Sequence, residues 1–285
     1  MPSTLAAEHS FFSSRGICIV LVILGVILLQ CASAQGQFTR IQGTEDQSVP
    51  MPTFVGALGQ KDARALQEFV DYLKAVNIFS WKGMQASGTL TDSLGNADPA
   101  TLTIVNGDQF RLDVQKPRGE RSTRISGSYG KTLEVDGKSF SMVPATARAG
   151  LLAFPQLLVA TFPTSNTSFI DRGLVQIGGG SFHRITLEEL AFTDATAIDS
   201  RNINVTDLYF DPSSHLLLKS ASAVQLDSAD REQYLIVVTY SNYENVQGTL
   251  IPCTYSQSMN GQPQWTLRLN SPSLQPSVDS TYFYF

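Results

Sequence analysis

The residues able to do chemistry are few. Past residue 34 the chain has two histidines, His183 and His215, and one cysteine, Cys253. A serine hydrolase would need one of those imidazoles beside a serine on a strained turn, and the Gly-x-Ser-x-Gly elbow that builds such a turn is absent. His183 stands mid-strand in Ser-Phe-His-Arg-Ile, and His215 follows the turn Asp211-Pro212-Ser213-Ser214. Both read as surface or hydrogen-bonded strand histidines. Two histidines and one cysteine, far apart, make no zinc spacing. Asp207 and Asp211 lack the dense alternating carboxylates of a calcium loop. Glu188 and Glu189 are neighbours on an expected strand, face opposite ways, and so cannot share one acid–base task. Gly178-Gly179-Gly180-Ser181 has neither the lysine nor the strand-to-helix context of a phosphate loop and reads as a turn. The residue types point to no catalytic site, no metal and no cofactor. A hydrolase built on His183 or His215 is the weakest of the functional readings.

Charge narrows the partners. Twenty basic against 25 acidic residues give a net charge of −5 and a pI near 5.2, which argues against general nucleic-acid binding. The stretch Lys116-Pro117-Arg118-Gly119-Glu120-Arg121-Ser122-Thr123-Arg124 is locally basic. It reads as a solvated hairpin tip, with transient contact to anionic headgroups or envelope polymers as the alternative.

The first 34 residues have the parts of a secretion signal. Arg15 supplies positive charge, Ile17 to Leu29 an apolar run, and Ala32-Ser33-Ala34 the small residues a signal peptidase needs, so cleavage is expected near Ala34. The apolar run is short for a membrane span. A retained anchor and lipidation at Cys31, which follows Gln30 where a small residue is wanted, are the alternatives. Cleavage would remove Cys18 and Cys31 and leave Cys253 alone, so no internal disulfide is possible and a core must hold the domain. An export product without disulfides fits a bacterial envelope, periplasmic or secreted, better than a eukaryotic secretory route. The sequons at Asn166 and Asn204 are of a kind that arises by chance.

The elements that would position any site follow from hydrophobic period. Residues 35–55, polar with Pro50 and Pro52, read as a disordered linker. Lys61 to Val76 reads as an amphipathic helix with Leu66, Phe69, Val70 and Leu73 on its buried stripe, capped near Asp62 and ended by Asn77. The period then becomes two. Leu102, Ile104, Phe110, Leu112 and Val114 alternate with polar residues across a hairpin turn at Asn106-Gly107. Further strands are expected at 123–128, 132–135, 139–143, 169–177, 181–187, 203–210, 215–224, 233–243, 249–256 and 264–270, with turns at Tyr129-Gly130 and Asp136-Gly137. An apolar interruption, 147–162, holds Leu151, Leu152, Phe154, Leu157, Leu158, Val159 and Phe162; it reads as one or two short helices or a lid, broken at Pro155. The C-terminal Tyr282-Phe283-Tyr284-Phe285 reads as a last short docking strand. Without a 20- to 50-residue repeat, residues 56–285 form one domain: α+β, mainly antiparallel β, an incomplete β-barrel or curved sheet wrapped round one or more helices.

Several segments carry a resemblance: Trp81-Lys-Gly-Met-Gln-Ala-Ser-Gly-Thr-Leu-Thr91, Gln109-Phe-Arg-Leu-Asp113, Asp207-Leu-Tyr-Phe-Asp211, Val238-Thr-Tyr-Ser-Asn-Tyr243 and Val246-Gln-Gly-Thr-Leu-Ile-Pro252. In this order, behind a signal and a helix, they resemble the LolA-like superfamily of periplasmic lipoprotein carriers. The resemblance implies an incomplete barrel around helices, with an apolar cavity able to hold acyl chains. The mature chain is longer than a typical carrier, and no residue equates with a known cargo contact. The expected liners are Leu102, Ile104, Phe110, Leu112, Leu208, Phe210, Ile236 and Val238, with Leu151, Leu152, Phe154 and Leu158 as lid. The leading expectation is a non-enzymatic periplasmic protein sheltering a lipid or the acyl chains of a lipoprotein. The alternative is an envelope scaffold or sensor with a packed core that binds a protein partner.

Overall fold

The computed structural model describes residues 49–56, 58–78, 82–105, 108–161, 167–191, 202–226, 232–274, 278 and 280–284. The signal segment, Cys31, the cleavage point and residues 35–48 lie outside the described residues, as do Trp81, the Asn106-Gly107 turn, Phe162, Asn166, Phe285 and the side chain of Val159.

The first element is a helix, α1 (Ala63–Val76). Its buried stripe is Ala65, Glu68, Phe69, Tyr72, Leu73 and Val76, a rotation from the expected one that leaves Leu66 and Val70 half-buried and draws a glutamate inward. Asp62 holds the N-cap position without capping; its carboxylate accepts instead from the amide of Asp171 at 3.0 Å. Asn77 ends the helix in a left-handed conformation (φ 52), as expected of an asparagine there.

Six strands follow: β1 (Gly83–Asp92), β2 (Ala97–Val105), β3 (Gln109–Lys116), β4 (Gly119–Ser126), β5 (Tyr129–Leu133) and β6 (Ser139–Ser141). After a second helix, α2 (Pro144–Leu152), and a 3-10 segment, Pro155–Thr161, come β7 (Thr167–Ile177), β8 (Gly180–Leu190), β9 (Ile203–Phe210), β10 (Leu217–Val224), β11 (Tyr234–Val246), β12 (Thr249–Met259) and β13 (Gln262–Leu274). All thirteen form one antiparallel sheet in the order β6-β5-β4-β3-β2-β1-β13-β12-β11-β10-β9-β8-β7. Two meanders are thus joined edge to edge through one ladder, β1 against β13, in which Gly88 faces Leu269 and Leu90 faces Leu267. The hairpins β7–β8, β11–β12 and β12–β13 turn on Gly178-Gly179, Gln247-Gly248 and Asn260-Gly261, both residues of each pair at positive φ, the type I′ geometry that matches strand twist.

The sheet bends without closing. α2 touches β4 and β5 on one arm and β9 and β10 on the other, and the Ser128 hydroxyl donates to the carbonyl of Ala191 across the gap. The edge strands β6 and β7 nevertheless stay unpaired with each other. At β7 the start of the edge is covered by the chain before α1, with Asp62 N–H donating to Phe169 O at 2.9 Å. The expected incomplete barrel around helices is the observed architecture.

Three local expectations are corrected. The turn expected at Tyr129-Gly130 sits earlier, at Gly127 (φ 59), so both residues belong to β5. The C-terminal tail docks as a 3-10 turn, Ser280–Phe283, rather than a strand. There Phe283 is buried, the Arg111 guanidinium lies 4.0 Å over the Tyr282 ring, and Arg111 donates to Tyr282 O at 3.1 Å. The end of the expected linker is not free: Val49 and Pro52 are buried, and Val55 N–H donates to Glu188 Oε1 at 2.5 Å.

Candidate functional site

The inner face of the bent sheet is oily. Alternation turns Leu102 and Ile104 of β2, Phe110 and Leu112 of β3, Leu208 and Phe210 of β9, and Ile236 and Val238 of β11 toward one centre, where they join Leu151, Leu152, Phe154 and Leu158 in a single cluster. None of these twelve side chains is more than 5 % exposed. The structure therefore brings every expected liner together, and fills the space between them.

Besides α1, which supplies Phe69, Tyr72, Leu73 and Val76, what fills it is one stretch, 144–158. Pro144 opens α2 at a position where its missing N–H costs nothing. Ala145, Ala147, Ala149 and Gly150 keep the helix thin, and all are buried. The sheet is trimmed to match: a Cβ at Gly130 would meet Met142 Sδ at 2.5 Å and Ala147 Cβ at 3.2 Å. Pro155 cannot continue α2, so the chain breaks at 153–156 and frees its carbonyls in a buried place. Three tyrosines meet that break. Tyr240 on β11 donates to Ala153 O at 3.0 Å, and Tyr72 on α1 donates to Pro155 O at 3.2 Å. The Gln156 amide donates to the Tyr255 hydroxyl of β12 at 3.0 Å. Phe154 packs between Phe110 (centroids 4.6 Å apart) and Tyr255 (5.2 Å). Burial pushes the phenols of Tyr72, Tyr240 and Tyr255 well up from their usual range, so all three remain protonated donors. Upstream, Thr146 Oγ1 donates to Gln225 O at 2.5 Å, and Arg148 makes a bidentate pair with Glu189 (3.0 and 2.5 Å).

Among β1, β2–β4 and β13 lies a crevice of about 10 Å³, space for about one water. Leu90, Leu112, Val114, Lys116, Arg121, Thr123 and Trp265 line it. Lys116 is paired with Asp98 at 2.6 Å and Arg121 with Glu134 at 2.9 Å, and Arg124 donates to Tyr284 O at 2.5 Å. The basic hairpin is therefore largely compensated within the fold.

The chemistry-bearing residues set aside in the sequence turn out to be linked. Glu68, buried on α1, accepts from both histidines: His183 Nδ1 at 3.0 Å and His215 Nδ1 at 2.9 Å. His183 Nε2 lies 2.8 Å from Asp171, which also meets Arg64 at 3.5 Å. Both nitrogens of His183 thus face carboxylates. Glu188 and Glu189 do face opposite ways, toward Val55 and Arg148. Burial, with Glu244 beside it, pushes the Cys253 thiol up to about 11 and makes it a poor nucleophile. Among the described residues no group of three or more His, Cys, Asp or Glu side chains is placed to hold a metal, and no helix is long and apolar enough to cross a membrane.

The pair with Glu68 makes a pH prediction. The hydrogen bond to Glu68, more than the field of Asp71 and Asp211, raises the His215 pKa above its ordinary 6.5. A raised histidine stabilises the fold fully below its unfolded pKa and loses that contribution as pH climbs through the folded one. Between about pH 6 and 8 the gap in stability between the wild type and His215→Ala should therefore narrow. The gap should stay below about 1 kcal/mol because the pair is part-exposed and screened. Thermal melts of both proteins across that range check it; a gap that widens with pH contradicts the assignment.

No family model matches the sequence, and no curated protein matches it. Solved structures do. The chain is similar to a LolA superfamily protein from Nitrosomonas europaea at 11 % identity and TM-score 0.45, over 76 % of this chain and 97 % of that one. It is similar to a DUF1329 family protein from Desulfovibrio piger at 8 % and 0.41, over 77 % and 96 %. A third is the lipoprotein LppX of Mycobacterium tuberculosis, at 11 % and 0.29, over 76 % and 100 %. The expected likeness to the LolA superfamily is there, at low identity. The tyrosines and Gln156 that tie the plug were missed in the sequence; three tyrosines on separate inward-facing elements were the only signal.

Proposed function

We propose that the chain is a non-enzymatic carrier that shelters a lipid, or the acyl chains of a lipoprotein, in the space its own segment 144–161 now occupies. One observation carries this reading: against the inward side chains of an open sheet and α1, one continuous stretch of chain supplies Ala147, Ala149, Leu151, Leu152, Ala153, Phe154, Leu157 and Leu158 to the oily centre and is hung there on a few polar ties. The twelve clustered residues named above are the proposed liners and lid. In this reading the protein works outside the cytoplasm, periplasmic or secreted, after loss of residues 1–34, and meets membranes only in passing.

Binding is then an exchange, and magnitudes decide what can bind. Withdrawing Leu151, Leu152, Phe154, Leu157 and Leu158 would forfeit about 1.5–3 kcal/mol each, while a ligand regains about 0.8 kcal/mol per buried methylene. A ligand must bring on the order of 10–20 methylenes to break even. An octanoyl chain should not bind, and a lipid with two palmitoyl chains should. Native mass spectrometry of protein purified from its own envelope, with competition by lipids of graded length, tests this. The proposal fails if no lipid co-purifies and long two-chain lipids do not bind.

A second reading, an envelope interaction module with a permanently packed core, is favoured by the burial of all twelve clustered side chains. Capture of the same protein partner with equal affinity before and after delipidation, with no lipid exchange, would select it.

A further inference from the structure

Resting on the carrier reading, we infer that the hollow selects lipids whose chains are joined through carbonyl groups, ester or amide, over alkyl ethers. The hydroxyls of Tyr72, Tyr240 and Tyr255 are the groups that read the difference.

The three phenols belong to α1, β11 and β12, and each is no more than 2 % exposed. They converge on four consecutive residues, 153–156. Two of them donate to backbone carbonyls, Ala153 O at 3.0 Å and Pro155 O at 3.2 Å. The third is held by Gln156, whose Nε2 lies 3.0 Å and whose Oε1 lies 3.4 Å from the Tyr255 hydroxyl. Tyr240 also shares a hydrogen bond of 2.6 Å with Ser220. A buried hydroxyl without a partner is costly in an apolar interior, and phenylalanine would fill the same volume without that liability. In the plugged state the liability is covered, because the break before Pro155 supplies acceptors. When the plug leaves, the carbonyls of Ala153 and Pro155 and the amide of Gln156 leave with it, and of the three hydroxyls Tyr240 keeps its bond to Ser220. Hydrocarbon offers nothing in return, and an ether oxygen is a weaker acceptor than a carbonyl. A carboxylate would ask for a cation, and Arg148 of α2 is already engaged by Glu189. A neutral carbonyl at the head of an acyl chain matches what the tyrosines lose. The ligand's linkage takes over the bonds that the peptide groups of 153–156 give up.

The test compares two ligands on one protein. The full chain is titrated with dipalmitoyl glycerol and with dihexadecyl glycerol, its diether counterpart. Both are delivered from cyclodextrin and compete against a pyrene-labelled dialkyl lipid. The ester should win by about tenfold or more, since each hydrogen bond accounts for about three- to tenfold in affinity. In Tyr240→Phe/Tyr255→Phe that preference should fall to about twofold or less. The ratio is insensitive to any loosening of the plug, because plug release enters both affinities equally. Should the double variant not fold, Tyr72→Phe alone should reduce the ratio by about threefold. Equal affinity of ester and ether in the wild type, or an unchanged ratio in a folded variant, overturns the inference while leaving the carrier reading intact. If neither lipid displaces the probe and the probe itself does not bind, the carrier reading fails and takes the inference with it.

Discussion

Gly88→Ala should remove a large share of the protein's stability, although it adds a single methyl group. A Cβ there would stand 2.2 Å from the carbonyl oxygen of Arg268 and 3.0 Å from its carbonyl carbon. Both atoms are backbone of the facing strand, so no side chain can swing aside. Either β1 or β13 must shift, and the ladder between them is the one ladder that joins the two meanders. Whole domains are stable by about 5–15 kcal/mol, and losing register along this seam should cost more than about 3 kcal/mol of it. Ser87→Ala, on the same strand with an exposed side chain, is the control and should stay within about 0.5 kcal/mol of wild type. Urea unfolding of the two variants measures the contrast. Similar midpoints would mean that the sheet absorbs the methyl group and that the seam is softer than the geometry says.

Glu189→Leu should cost about 3–5 kcal/mol, because it strands the Arg148 guanidinium in a buried site without its carboxylate. Both side chains are nearly enclosed, at 12 % and 7 % exposed, so water can do little to replace the lost partner. Arg148→Met/Glu189→Leu should recover most of that loss, since an apolar pair of similar volume carries no desolvation penalty. The pair is also the ion pair tying α2 to β8, which gives the single variant a local signature. Limited proteolysis should cut Glu189→Leu within 144–161 at urea concentrations that leave the rest of the domain intact. A double variant no more stable than the single one would show that packing, not charge, holds the helix there.

Much of the architecture was legible because period and punctuation are local. Ile203–Phe210 coincides with its expected strand, and Pro155 breaks the apolar interruption where it should. The inward alternation of Leu102, Ile104, Phe110 and Leu112 follows from a two-residue repeat alone. What escaped were relations between distant positions. Glu68 lies 115 and 147 residues from the histidines it joins, and nothing near it in the sequence names them. Its helical spacing with Ala65, Tyr72 and Val76 was the available hint that a carboxylate faced inward. The tyrosines bind main-chain carbonyls, whose availability depends on where a helix breaks rather than on any residue type. The tail failed for a similar reason: Arg111 and Arg124 capture its carbonyls as a tight turn, an outcome that strand-like composition in Tyr282 to Tyr284 cannot reveal.

The pairing of first strand with last also sets a timetable. Met84 must find Leu274, and Asp92 must find Trp265, so a chain emerging end-first holds a bare hydrogen-bonding edge on β1 until nearly everything else has appeared. Contacts of such long range make for slow folding, and an unpatched edge invites other chains to add to it. A chain cut short before residue 262 should therefore aggregate rather than idle as a soluble fragment.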